Sequence, residues 1–156
     1  KETIHLGILE GNENYVPAKG KQSETITADF LIGKRLPAYA TALGKALLYD
    51  HSLETYAIVP EFITAVNREY HPTVDALYQD IHKDANDEFT YEEEEITKYA
   101  RCIAMPLRVN NQIVAALSIS FIVFDATPEH ITNIKYILRR FGTVIAKLME
   151  TKNFQY

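Results

Sequence analysis

Cys102 is the chain's single thiol, and Arg101 beside it would favour a thiolate if the two side chains met, the arrangement of a nucleophilic or redox cysteine. In a regular strand neighbouring residues point to opposite faces, which separates the two and makes an inert packing cysteine the stronger reading. Glu92, Glu93, Glu94 and Glu95 could supply a buried acid, a metal ligand or an acceptor for a ligand hydroxyl. In extended backbone Glu92 and Glu94 share one face and Glu93 and Glu95 the other, so at most one pair looks inward. Ser118 and Ser120 offer two hydroxyls on one face, able to donate to a carboxylate, accept from a hydroxyl, or satisfy backbone groups and buried water. His5, His51, His71, His82 and His130 lack the spacing of a metal site or a triad and read as structural or solvated. The chain has no Gly-rich phosphate loop, no Gly-x-Ser-x-Gly elbow and no paired-histidine zinc helix. No metal or cofactor is expected, and the common hydrolase and nucleotide chemistries are weakened.

These side chains need elements to hold them. Ile4, Leu6 and Ile8 alternate, then Gly11-Asn12 offers turn chemistry before Tyr15 to Ala18, which predicts an opening β-hairpin. Polarity falls from Ile26 to Gly33, and Leu36-Pro37 sets an extended approach to a short helix over Thr41 to Leu48. Thr41 is its N-cap, and Gly44 costs about 1 kcal/mol relative to alanine, a weakness compatible with close approach of a neighbour. The backbone N–H groups at this helix start would suit an anion. Ser52-Leu53-Glu54-Thr55 resembles a capping box for a second helix before Pro60. Thr73 caps a third helix running towards Asp87, with Val74, Leu77 and Ile81 on one face. The segment Phe89 to Ile96 is a solvated strand or a loop tip.

Arg101 to Val109 and Ile113 to Phe121 are the clearest strand pair. A three-residue loop, Asn110 to Gln112, pairs Val109 with Ile113, Leu107 with Ala115, Met105 with Leu117 and Ile103 with Ile119, and makes one face apolar and mostly bulky. The other face carries Cys102, Ala104, Pro106, Val114, Ala116, Ser118 and Ser120, small enough to leave room above it. Thr127-Pro128-Glu129 then opens a long helix with an apolar stripe through Ile131, Ile134, Leu138, Phe141, Ile145 and Leu148. This helix is expected on the bulky face. Without a repeated βα rhythm, the order predicts an α+β fold with a mainly antiparallel sheet.

At 156 residues the chain has room for one domain with a real core. Its 47% hydrophobic and 24% charged residues are ordinary for a globular protein. A net charge of -5 lacks the basic footprint of phosphate-backbone binding. No apolar run approaches the roughly 18 to 20 residues of a membrane span, and no signal segment opens the chain, so a cytoplasmic protein with no membrane contact is expected. The start in alternating residues suggests a fragment of a longer chain.

The block Ala40-Thr41-Ala42-Leu43-Gly44-Lys45-Ala46-Leu47-Leu48 closely resembles the segment typical of the effector-binding domain of IclR-family transcriptional regulators. Arg101 to Arg108 looks like that family's central strand, Val114 to Ser120 like the next, and Thr127-Pro128-Glu129 like the start of its closing helix. The resemblance runs from about Thr3 to Met149. It implies a GAF-like domain, residues 1–156, following a winged helix-turn-helix that is absent here and that would bind operator DNA. It further implies a small-molecule effector, an organic or sugar acid, and assembly as a homodimer or homotetramer. Carried over by position, it points to Ala42, Leu43, Gly44, Glu92, Cys102, Ser118 and Ser120 as effector-binding residues, in agreement with the small sheet face. Tyr39 replaces a common histidine, Tyr99 replaces a common glycine, and glutamates replace an Asp-rich stretch, changes expected to narrow or redirect the pocket. The expected function is ligand sensing without catalysis. The rivals are an enzyme using Cys102 and an oligomerisation module with a filled core.

Overall fold

The computed structural model describes residues 3–10, 13–21, 35–52, 73–95 and 98–152. Its strands are β1 (Thr3–Glu10), β2 (Glu13–Lys21), β3 (Arg35–Pro37), β4 (Thr90–Glu93), β5 (Ala100–Val109) and β6 (Gln112–Ile122). Among the described residues the helices are α1 (Ala42–Leu47), α2 (Val74–Ile81) and α3 (Pro128–Thr151), with short 3-10 turns at Ala38–Ala40 and Val123–Asp125. All pairings among the described strands are antiparallel and their order across the sheet is β3-β2-β1-β6-β5-β4. This is the expected α+β architecture, with the opening hairpin and the β5–β6 pair side by side. The Gly11-Asn12 turn, the Ile26–Gly33 stretch and the helix expected between Leu53 and Pro60 lie outside the described residues.

The β5–β6 hairpin departs from the expected loop. Asn110 and Asn111 both adopt positive φ, 52° and 64°, and form a two-residue turn that sets Val109 opposite Gln112 and Arg108 opposite Ile113. Leu107 then faces Ala115, so β6 carries one extra residue at Val114, and Met105–Leu117 and Ile103–Ile119 follow as expected. The bulge reconciles a tight asparagine turn with a uniform apolar face. Its cost is one swap: Val114 packs against the main core, and Ile113 takes a place beside α1. The expected Val109–Ile113 pair is not formed, and Val114 leaves the small face.

Ile103, Leu107, Leu117 and Ile119 meet Ile134 and Leu138 of α3 in the main core. Thr127 caps α3 by accepting from the His130 N–H at 3.2 Å, and Pro128 occupies its first turn. A side chain at Gly142 would stand 2.9 Å from Met105 Sδ, so the missing side chain lets α3 settle on β5. The buried stripe therefore passes through Gly142 and Met149, while Phe141 and Leu148, expected in it, are 50% and 57% exposed.

α2 has the expected Thr73 cap, accepting from the Ala76 N–H, but stops at Ile81 rather than near Asp87. The His82 ring nitrogens lie 2.9 and 2.8 Å from the carbonyl oxygens of Tyr78 and Tyr49, and the chain turns back at an Asp84–Phe89 bridge with Glu88 at φ 58°. β4 is the strand form of the glutamate segment.

Candidate functional site

α1 lies on the small face of the sheet. Thr41 Oγ1 accepts from the Gly44 N–H at 2.9 Å, and the Lys45 N–H bonds to the Thr41 carbonyl, so two helix-start donors are already used. Gly44 is where the close approach occurs: a Cβ there would fall 2.3 Å from both the Cα and the carbonyl oxygen of Ala38. Ala42, Leu43, Ala46 and Leu47 close on Ala104 and Ala116, with Cys102 and Ile113 at the edge. The space left by the two alanines is thus filled by the helix, and Thr90 Oγ1 fixes the helix to β4 by donating to the Ala42 carbonyl at 2.7 Å.

Beside α1 the sheet presents polar residues in register. Glu92 pairs with Cys102, Cys102 with Ser120, and Ser120 with Thr3, a row across β4, β5, β6 and β1. The adjoining row runs Thr90, Ala104, Ser118 and His5. Thr3, His5, Thr90, Glu92 and Ser118 are buried, and Cys102 and Ser120 are partly buried with Sγ and Oγ 3.0 Å apart. The structure thus puts Glu92, Cys102, Ser118 and Ser120 on this floor and Ala42 and Leu43 on the helix packed beside it, with Gly44 placed against Ala38. Thr3 and His5 were missed. The alternation of Ile4, Leu6 and Ile8 puts both on the opposite face, but their pairing with β6 is long-range and has no local signal.

The glutamate run breaks the expected alternation. Glu92 is 4% exposed and Glu95 1%, although simple alternation sets them on different faces. Glu94 at φ 58° turns the chain, with its N–H bonded to the Ala100 carbonyl, and Glu95 is swung inward. It meets Lys45, which has no exposed surface. Lys45 Nζ donates to Glu95 Oε2 at 2.6 Å and to the Tyr91 carbonyl at 2.8 Å, and lies 2.8 Å from Asp80 Oδ2. One ammonium ties α1 to α2 and to the β4–β5 connection. Read as a helix former from sequence, Lys45 is a buried anchor of the site.

The surroundings of Cys102 disfavour its thiolate. Burial, then the negative charge of Glu92, pushes its thiol up to about 12, against a smaller lowering by the Ser120 hydrogen bond. A reactive cysteine needs the opposite shift. Arg101 is paired with Phe121 and Glu93, one residue out of step with the Cys102 row, as strand alternation requires.

Tyr99 does not reach the pocket wall. It holds φ 67°, the left-handed region where glycine is at ease, is 49% exposed, and stacks on Phe124 with centroids 5.6 Å apart. Tyr39 is buried with Leu48, Tyr49, Leu77 and Ile81. A cleft of about 410 Å³ lies at the other end of α1, lined by Leu47, Asp50, His51, Gln112, Ile113 and neighbouring residues, away from the polar rows. We place the candidate site at the rows, where several polar groups converge, rather than at this open cleft. Among the described residues no cluster of His, Cys, Asp and Glu could hold a metal ion, and no helix is long and apolar enough to cross a membrane.

Comparison with known proteins agrees with this architecture. The chain is 26% identical over 151 residues to the HTH-type transcriptional regulator XynR of Escherichia coli, covering 95% of this chain and 60% of XynR. The crystal structure of the C-terminal domain of the E. coli regulator KdgR superposes with a TM-score of 0.77 at 27% identity, over 96% of this chain and 88% of that one. An IclR homologue from Microbacterium hydrocarbonoxydans, solved in complex with 4-hydroxybenzoate, shares the fold with a TM-score of 0.78 at 22% identity, over 93% of this chain and 59% of that one. The family profile described as bacterial transcriptional regulator IclR C-terminal matches residues 1–147, and the chain belongs to that family.

Proposed function

We infer that this chain is the effector-sensing part of a cytoplasmic transcriptional regulator, holding a small organic or sugar acid between α1 and the polar rows without chemical conversion. The observation that carries this reading is the row Glu92, Cys102, Ser120 and Thr3 running in register beside a helix anchored by a buried lysine. Such a floor offers hydroxyl donors at Ser118 and Ser120 to a ligand carboxylate and an acceptor at Glu92 to a ligand hydroxyl. The 4-hydroxybenzoate bound by the Microbacterium homologue, a hydroxylated acid, supports the ligand class.

The chain spans 60% of XynR, and a winged helix-turn-helix ahead of it supplies operator binding in our reading. The regulator works as a homodimer or homotetramer. The effector favours one arrangement of the assembly and shifts its population by the difference in affinity for the two states. A thermal-shift screen of organic and sugar acids, with 4-hydroxybenzoate included, tests the site. Binders raise the melting temperature, and Ser118→Ala with Ser120→Ala reduces that response. Ligands that bind the double variant unchanged would overturn the assignment.

A further inference from the structure

The outer side of α3 carries a second apolar stripe that the fold leaves open. Ile137, partly buried at the edge of the main core, and then Phe141, Val144 and Leu148 follow one another at four-, three- and four-residue steps, the spacing of a coiled-coil seam. Phe141, Val144 and Leu148 are 50%, 52% and 57% exposed, whereas Ile134, Leu138 and Met149 of the neighbouring stripe are buried.

The position of this seam follows from the opposite flank of α3. There Arg139 meets Asp87 at 2.8 Å and lies over the Phe89 ring, and Lys135 lies over Phe89 and Tyr91, all on the β4 side. The seam therefore looks towards β1. On that same sheet face Ile4 pairs with Ile119 and Leu6 with Leu117, so β1 continues the apolar floor beyond the strands α3 covers. A helix about 10 Å across covers roughly two strands spaced about 4.8 Å apart. α3 packs on β5 and β6 of the six, and it is the helix on this face among the described residues. Among the described residues, the slot beside it has a wall of α3 side chains and a floor begun by β1.

Charge defines the occupant. Arg140 and Lys147 flank the seam on its solvent side, seven residues apart in the same heptad position, and neither has an ion-pair partner among the described residues. An antiparallel second copy of α3 would bring these cations against each other, which is unfavourable. We propose that this slot docks an amphipathic helix whose apolar stripe meets Ile137, Phe141, Val144 and Leu148 and whose adjoining flank is acidic, facing Arg140 and Lys147. Recognition is helix-in-groove, with the charges setting partner choice.

The probe is a synthetic helical peptide about three heptads long, leucine at the seam and glutamate on the flanks, with a lysine-flanked counterpart. Fluorescence anisotropy against the 156-residue chain is expected to show the glutamate peptide binding at least about tenfold tighter than the lysine peptide. Val144→Asp abolishes binding of both. Arg140→Glu with Lys147→Glu, wholly at the surface, reverses the preference. Equal binding of the two peptides, or binding of neither, overturns the proposal. So does light scattering that finds a dimer of this chain dissolved by Val144→Asp, which would give the face to a second copy.

Discussion

Replacing Lys45 with methionine keeps most of the side-chain length and removes the charge. The ammonium is fully buried and within 2.8 Å of Glu95, Asp80 and the Tyr91 carbonyl, so its loss leaves the Glu95 carboxylate, only 2% exposed, without its cation. Breaking a buried pair from one side costs about 3–5 kcal/mol, because the remaining charge has lost its compensation and cannot reach water. For a domain of this length each kcal/mol shifts the melting temperature by about 2–4 °C, so the variant should melt roughly 6–20 °C lower. Urea titration of Lys45→Met, Glu95→Gln and the double variant measures the coupling directly. The double variant should be less destabilised than the sum of the single ones, since a neutral amide in place of the Glu95 carboxylate needs no cation. A Lys45→Met cost below about 1 kcal/mol, or strict additivity of the two changes, would refute the anchor.

Three further outcomes follow from the same geometry. Gly44→Ala gains about 1 kcal/mol of helix propensity but drives a methyl into the Ala38 backbone 2.3 Å away, so chemical denaturation should show a net loss of stability. Cys102 alkylation should be slow and still accelerating well above pH ~9, since the thiol is pushed up to about 12; a rate already constant near pH ~7 would contradict the buried setting. Arg108 grips Asp50 and Glu88, and its hydrogen bond to Asp50 holds that carboxyl below its ordinary range. The stabilisation from Asp50 is thus present above the unfolded value of about 3.9 and fades as pH falls through and below it. Arg108→Met should cost about 1 kcal/mol or less at neutral pH, because Asp50 is half exposed, and should flatten the acid limb of the stability profile.

Features of the fold encoded locally were legible. Thr41, Thr73 and Thr127 cap helices as their types suggest, and Pro128 marks the start of α3. The small sheet face was readable too, because strand period is local and Cys102, Ala104, Ser118 and Ser120 alternate with bulky neighbours. The β5–β6 register was half legible: asparagine chemistry favours a two-residue turn, face uniformity favours the longer register, and the bulge at Val114 satisfies both. Neither signal alone predicts an extra residue.

What stayed hidden rests on pairings between distant residues. Lys45 on a six-residue helix reads as a helix former, and only its meeting with Glu95, fifty residues on, makes it an anchor. Glu95 in turn is aimed by the left-handed turn at Glu94, a conformation the residue type does not announce. The stripe of α3 shifted for the same kind of reason: Gly142 is not counted as apolar by periodicity, yet its bare backbone seats the helix against Met105. Once Gly142 lies at the contact, Phe141 must rotate to the flank, and with it Val144 and Leu148. A seam that looks like surplus hydrophobicity in the sequence thus becomes an open wall in the fold, and the cations beside it limit what can close it.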